Sequence, residues 1–152
     1  MLSKKAKYGM KALLRLALEA DRRPILIENL AEHERIPRKF LEAILLDLKH
    51  RGIVQSRKGK GGGYFLARKP NDITLGEVVG ALDGPLAAVP CVSQTAYMPC
   101  DDCPDEDACA VRLAMKEVRD ATARILDRTS LLTANARAAR AARALAAHRR
   151  KP

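Results

Sequence analysis

Between Ile53 and Ala67 two β-prone runs, Ile53-Val54-Gln55-Ser56-Arg57 and Tyr64-Phe65-Leu66-Ala67, enclose the tip Lys58-Gly59-Lys60-Gly61-Gly62-Gly63. Glycines supply the positive φ that a tight reversal needs, so the segment reads as a β-hairpin. A lone two-stranded hairpin is marginal in water and must lean on neighbouring elements. The residues on either side are helical in pattern, which points to a mainly α chain carrying one small hairpin.

Ser3 is placed to cap a first helix running to Ala20, with Tyr8, Ala12, Leu16 and Leu13, Leu14, Ala17, Leu18 forming a broad apolar stripe. Pro24 and Ile25 interrupt it. Ile27 to His33, centred on Leu30 and Ala31, makes a short second helix. Pro37 starts a third, whose apolar face is Phe40, Leu41, Ile44, Leu45 and Leu48; Gly52 stands where a left-handed C-cap is required. Its other face carries Arg38, Lys39, Glu42, Lys49 and His50. Three helices followed by a hairpin is the order of a winged helix-turn-helix, expected over residues 1–84. Within it Pro70, Asn71 and Asp72 turn the chain. Thr74 with Glu77 then forms a capping box for a helix through Leu82.

Residues 85–107 read as an irregular, acidic, cysteine-bearing loop. Over 108–130, Val111, Met115, Val118, Thr122 and Ile125 recur at spacings of 4, 3, 4 and 3, a heptad-like seam with Ala114, Ala121 and Leu126 alongside. A helix of this kind needs a partner, and a homodimer through it is expected. The remainder, 131–152, is a basic Ala/Arg-rich tail whose three-residue repeat smears its arginines around a helix instead of making an apolar face, so that it can fray. No apolar run approaches the ~20 residues of a membrane span. Lys7, Lys11 and Arg15 interrupt the apolar positions at the amino end, unlike a secretory signal. A cytoplasmic protein without membrane attachment is expected.

The net charge of +10 is unevenly placed. Residues 1–69 hold 17 Lys/Arg against 7 Asp/Glu, whereas 70–136 hold 5 against 11. A basic front half suits a polyanion, with double-stranded DNA the leading partner. Aromatics at 3% give little for stacking single strands, which disfavours an RNA-binding reading. In a helix-turn-helix the start of the second motif helix reaches base edges while nearby cations hold phosphates. Arg38, Lys39 and Phe40 lie in that first turn. Arginine can fork onto guanine, and Glu42, one turn further on, can accept from the cytosine amino group. Lys49 closes the helix. At the tip Arg57, Lys58 and Lys60, with Gly61, Gly62 and Tyr64, form a wing suited to a phosphate backbone or minor groove. A phosphate-cradling nucleotide loop is excluded because the glycines lead into a strand and not a helix.

Cys91, Cys100, Cys103 and Cys109 all fall in the loop. Such clustering in a cytoplasmic chain argues for metal or redox chemistry over structural disulfides. Four thiolates can complete one iron-sulfur cluster or a tetrahedral zinc site, and spacing does not choose between them. Cys109, near the start of the long helix, sits where the dipole favours its thiolate. Asp101, Asp102, Asp105, Glu106 and Asp107 surround the thiols with negative charge. An enzyme has thin support: the histidines are His33, His50 and His148, with no nucleophile motif around them.

The run IPRKFLEAILLDLKHRGIVQSRKGKGGGYFLARKPNDITLGEVVGALDGPL, followed by a cysteine loop and a long helix, resembles the bacterial iron-sulfur-sensing winged-helix repressors over roughly residues 1–130. These include the cluster-assembly regulator, the nitric-oxide-sensing repressor, the rhizobial iron regulator and cluster-free relatives controlling cysteine metabolism. The resemblance implies a dimeric transcription factor, with a base-reading glutamate at Glu42 and a minor-groove wing cation at Lys58. It also implies cluster ligands at Cys91, Cys103 and Cys109, with Cys100 the fourth ligand or an alternate and His33 a weaker candidate. The chain departs from the family pattern at Leu26, where a small N-cap is usual, and at Arg35, where a turn glycine is usual. Arg38 and Lys39 replace polar first-turn residues, implying a different operator.

Overall fold

The computed structural model describes residues 2–149. Ser3 caps α1 (Lys4–Leu16) by accepting the Ala6 amide at 3.0 Å, and its own amide donates to Asp83 at 2.8 Å. The helix stops four residues before the expected Ala20. Its end tightens into bonds from the Leu18 amide to the Arg15 carbonyl and from Glu19 to Leu16, and Asp21 and Arg22 then turn to positive φ. That reversal lays Ile25 beside Tyr64, where two backbone hydrogen bonds of 2.8 and 2.9 Å join them.

α2 (Ile27–Glu34) starts without a side-chain cap, as Leu26 dictates. α3 (Arg38–His50) follows a short turn and buries Leu41, Ile44, Leu45 and Leu48, the stripe read from the sequence, while Phe40 stays 39% exposed. Phe40 meets Tyr8 of α1 edge to face, with ring centroids 5.7 Å apart. β1 (Val54–Arg57) and β2 (Gly63–Leu66) pair antiparallel with Val54 opposite Leu66 and Arg57 opposite Gly63. Gly63 has φ of 134°, and a Cβ there would stand 2.3 Å from the Ile25 carbonyl oxygen, so only glycine lets the hairpin dock on that backbone.

α4 (Leu75–Asp83) is capped by Thr74, whose Oγ1 accepts the Glu77 amide at 3.2 Å. Only this half of the capping box forms, because the Glu77 carboxylate is drawn to the Arg68 guanidinium instead. One core joins α1 to α4 and the hairpin: Leu13, Leu30, Ile44, Leu45, Ile53, Leu66, Ile73 and Val78 are all fully buried.

α5 (Ala110–Asp127) returns to this core at its end. The Leu75 amide donates to the Thr129 carbonyl at 2.8 Å and the Leu131 amide to that of Ile73 at 3.0 Å, forming a short antiparallel crossing. α6 (Leu131–Arg149) is a continuous helix over a stretch the sequence reads as able to fray. Alanine and arginine are strong helix formers, and two anchors hold the start. Leu131 is fully buried, and Asn135 Nδ2 donates to the Leu14 carbonyl at 2.9 Å. The last three residues of the expected tail lie outside the described residues.

Candidate nucleic-acid interface and cysteine cavity

Burying one face of α3 leaves the other to solvent by construction. Arg38, Lys39, Phe40, Glu42 and Lys49 are all exposed there. Arg38 Nη2 pairs with Glu28 of α2 at 2.9 Å, so the two helices of the motif are tied at the start of α3. Lys49 Nζ donates to Ser56 Oγ at 2.8 Å, which fastens the last turn of α3 to β1. Glu42 makes no ion pair among the described residues and presents a free carboxylate from the middle of the exposed face.

The wing tip is built from within. Arg57 Nη2 donates to the Gly61 carbonyl at 3.0 Å, and the Gly62 amide donates to the Gly59 carbonyl at 2.9 Å. Gly62 is buried against the Arg57 carbonyl, so it shapes the turn and does not face solvent. Lys58 and Lys60 are exposed and outside every ion pair among the described residues. The Tyr64 ring packs partly on the core and its backbone serves the Ile25 bridge. Exposed cations thus come from the wing, and exposed cations with one carboxylate from α3.

The cysteine loop folds over the start of α5. A single open cavity of about 400 Å³ is lined by all four thiols, with Met98 and Val111 as apolar wall and Asp102 and Arg112 as charged groups. Cys91 is buried, Cys103 and Cys109 half-buried and Cys100 exposed. Cys109 is the N-cap residue of α5. The Arg112 amide, and next the Cys103 thiol, stabilise its thiolate and hold its pKa below the ordinary thiol value. Cys103 Sγ donates to the Asp105 carbonyl at 3.7 Å, and the neighbouring Cys109 sulfur, with partial desolvation, pushes its pKa up to about 11. The acidic residues are partly spoken for. Arg112 pairs with Glu106 and Asp107 at 3.4 Å each, and the Tyr97 hydroxyl, its pKa raised by the contact, donates to Glu106 at 2.9 Å.

Four soft donors around one cavity fit an iron-sulfur cluster chemically. Among the described residues no three Cys, His, Asp or Glu side chains converge closely enough to hold a single metal ion. His33 lies elsewhere in the chain. It lines the groove between α2 and the wing with Gly61 and Gly62, and its Nδ1 meets Glu34 at 3.1 Å.

The sequence profile of the Rrf2 family, described as iron-dependent transcriptional regulators, matches residues 2–135. The chain belongs to the Rrf2 family. A transcriptional regulator of the helix-turn-helix type from Rhodobacter capsulatus, named as Rrf2-like, is 48% identical over 121 residues, spanning 78% of this chain and 81% of that one. The regulator IscR of Pectobacterium atrosepticum is 28% identical over 130 residues, 86% of this chain and 76% of its own. Among solved structures, CymR of Bacillus subtilis, titled a global cysteine regulator, superposes with a TM-score of 0.74 at 28% identity over 90% of this chain and 96% of that one. These relatives are named as regulators and not as enzymes. The resemblance to the bacterial winged-helix repressors read from the α3-hairpin run therefore holds at the level of the family, as does the winged-helix fold.

Two features of this Rrf2 chain escape a reading of its sequence. Arg119 of α5 is buried although arginine is ordinarily a surface residue. Ser130 caps α6 by accepting the Thr133 amide at 3.1 Å, and a serine ahead of a helix-forming run was the available signal.

Proposed function

We propose that this Rrf2 protein is a homodimeric DNA-binding repressor whose operator affinity is set by what its cysteine cavity holds. The carrying observation is the exposed α3 face, where the unpaired Glu42 carboxylate sits amid Arg38, Lys39 and Lys49, beside a wing whose tip lysines are free. In this reading α3 enters the major groove, Glu42 accepts from a cytosine amino group, and Lys58 and Lys60 hold the flanking backbone or minor groove. Phosphate contacts from Lys39, Lys49 and Arg57 fix the register.

Dimerisation is supported by α5. Val118 is 50% and Ile125 63% exposed, in line with Val111 at 63% and the small residues Ala114 and Ala121. An apolar seam at heptad spacing left in water is a surface made for a copy of itself. A twofold dimer then presents two α3 helices to half-sites about one helical turn or a multiple apart.

In the cavity, Cys91, Cys103 and Cys109, with Cys100 as fourth ligand or alternate, would hold an iron-sulfur cluster, which supplies a redox- or iron-responsive charge at that point. Four soft thiolates around one cavity suit a polynuclear iron-sulfur group, and a tetrahedral zinc site is the alternative that the same donors allow. Residues of this chain would do the rest. Cys91 ties the loop to the wing domain, Cys109 ties it to α5, and a change between them resets the angle of the two reading heads. A thiol switch without a cluster is the second reading, favoured by Cys103 and Cys109 lining one cavity and shifting each other's pKa in opposite directions. Absorption spectra of anaerobically purified protein, paired with operator binding before and after iron chelation at one salt concentration, test both. Sulfide-to-iron absorption with a chelation-dependent affinity supports the first. Its absence, with affinity that follows thiol oxidation, supports the second.

A further inference from the structure

We propose that a second cavity, walled by the ends of α3 and α4, the segment after Cys91 and the middle of α5, binds a small organic monocarboxylate whose anionic head is held by Arg119. The cavity measures about 480 Å³, within the size range of small-molecule sites. Arg119 lines it and is only 8% exposed. Its guanidinium is a positive charge largely withdrawn from water. Its ionic partner is Asp120, 2.7 Å from Nη2, and that carboxylate turns its other oxygen to Lys116 at 3.2 Å. Nε has no hydrogen-bond partner among the described residues. A guanidinium with a single ionic partner keeps donors to spare, and Arg119 lines the cavity, so an anion there would complete its bonding.

The rest of the lining narrows the ligand class. Arg51, just past the end of α3, adds a second cation, and Asp127 subtracts one charge, leaving the lining at net +1 with Arg119. That balance suits a monoanion better than a dianion. Leu86 and Ala123 give it an apolar wall, which suits an organic body and offers nothing to inorganic phosphate. Because the walls come from the reading helix and from α5, occupancy would bear on operator affinity. That consequence rests on the regulator reading above, whereas the binding itself does not.

The test contains no DNA. The full-length protein is titrated with sodium benzoate at constant ionic strength while backbone amide NMR signals are followed, with benzamide and inorganic phosphate as parallel probes. Saturable shifts centred on Gly80, Gly84, Ala87 and Arg119 are expected with benzoate, and affinity about tenfold weaker or worse for the other two, since each lacks either the charge or the apolar body. Arg119→Gln is expected to abolish the response. Because a substitution at a buried position can disturb folding, Arg51→Gln, at an exposed position, provides the second arm: several-fold weaker benzoate binding with an unchanged ligand-free spectrum. No saturable shift, benzamide or phosphate binding as tightly as benzoate, or an affinity unmoved by Arg51→Gln overturns the proposal.

Discussion

Arg35 ends α2 in the same backbone geometry that Gly52 gives the end of α3. In each case the left-handed residue donates its amide to a carbonyl three residues back, Arg35 to Glu32 at 3.2 Å and Gly52 to Lys49 at 3.0 Å. The next residue reaches five back, Ile36 to Ala31 and Ile53 to Leu48, both at 2.9 Å, with a buried apolar contact beneath. Yet φ is 54° at Arg35, where a Cβ is strained, and 68° at Gly52, where none exists. Gly52→Arg is therefore expected to cost about 1 kcal/mol in urea unfolding. Arg35→Gly is expected to gain at most about that much, because glycine also frees the unfolded chain. A clear loss on Arg35→Gly would mean that the side chain itself stabilises the turn.

What the sequence made legible follows from locality. The hairpin could be read because glycines and β-branched or aromatic residues act within a few positions. The exposed side of α3 could be read because it is the complement of the Leu41-Ile44-Leu45-Leu48 stripe. Features set by distant partners could not be read. The Ile25–Tyr64 bridge, the crossing of Leu131 over Ile73, and the diversion of Glu77 from its capping box to Arg68 each depend on a contact that no local period encodes. Burial of Arg119 is of the same kind. Clustering of the cysteines in sequence placed them on one loop, but their sharing of one cavity with an unequal pair inside it depends on where α5 begins.

That inequality has a pH signature in the metal-free reduced protein. Helix amides and the Cys103 thiol lower the Cys109 pKa, so its reactive thiolate is present at lower pH than for an ordinary cysteine. Cys103 is shifted the opposite way, to about 11, so it stays a thiol through neutral pH. Iodoacetamide at pH 7 is thus expected to label Cys109 well ahead of Cys103, with the Cys103 rate rising only as pH climbs toward 11. Peptide mass spectrometry of a timed quench measures both. Equal rates at pH 7 would show that the two thiols do not perturb one another in solution.

Base reading and phosphate holding are separable by their dependence on sequence and salt. Glu42→Ala removes the carboxylate proposed to accept from a base edge, so it is expected to relax discrimination at one operator position by about 1–3 kcal/mol, with the salt slope unchanged. Lys58→Ala and Lys60→Ala should weaken all duplexes alike. Removing one phosphate-holding cation is expected to take about 0.9 off the slope of log affinity against log salt. Fluorescence anisotropy with a set of single-base operator variants, at three salt concentrations, distinguishes the two patterns. A uniform loss for Glu42→Ala would remove it from base recognition.

In the proposed dimer, the seam on α5 decides whether two reading heads act together. Val118 and Ile125 contribute little to the fold of one subunit, since both are at least half exposed. Charging them should therefore leave the monomer folded while placing like charges against one another across a twofold axis, where a carboxylate loses its water and meets its own copy. Val118→Asp with Ile125→Asp is expected to convert the dimer to a monomer by light scattering, with helical circular dichroism retained. Operator affinity should fall toward that of one half-site. Val111 is unsuited to this test, because it also lines the cysteine cavity. If the double variant remained dimeric, the pairing surface would have to lie elsewhere on the subunit, and the spacing of the half-sites could no longer be traced to α5.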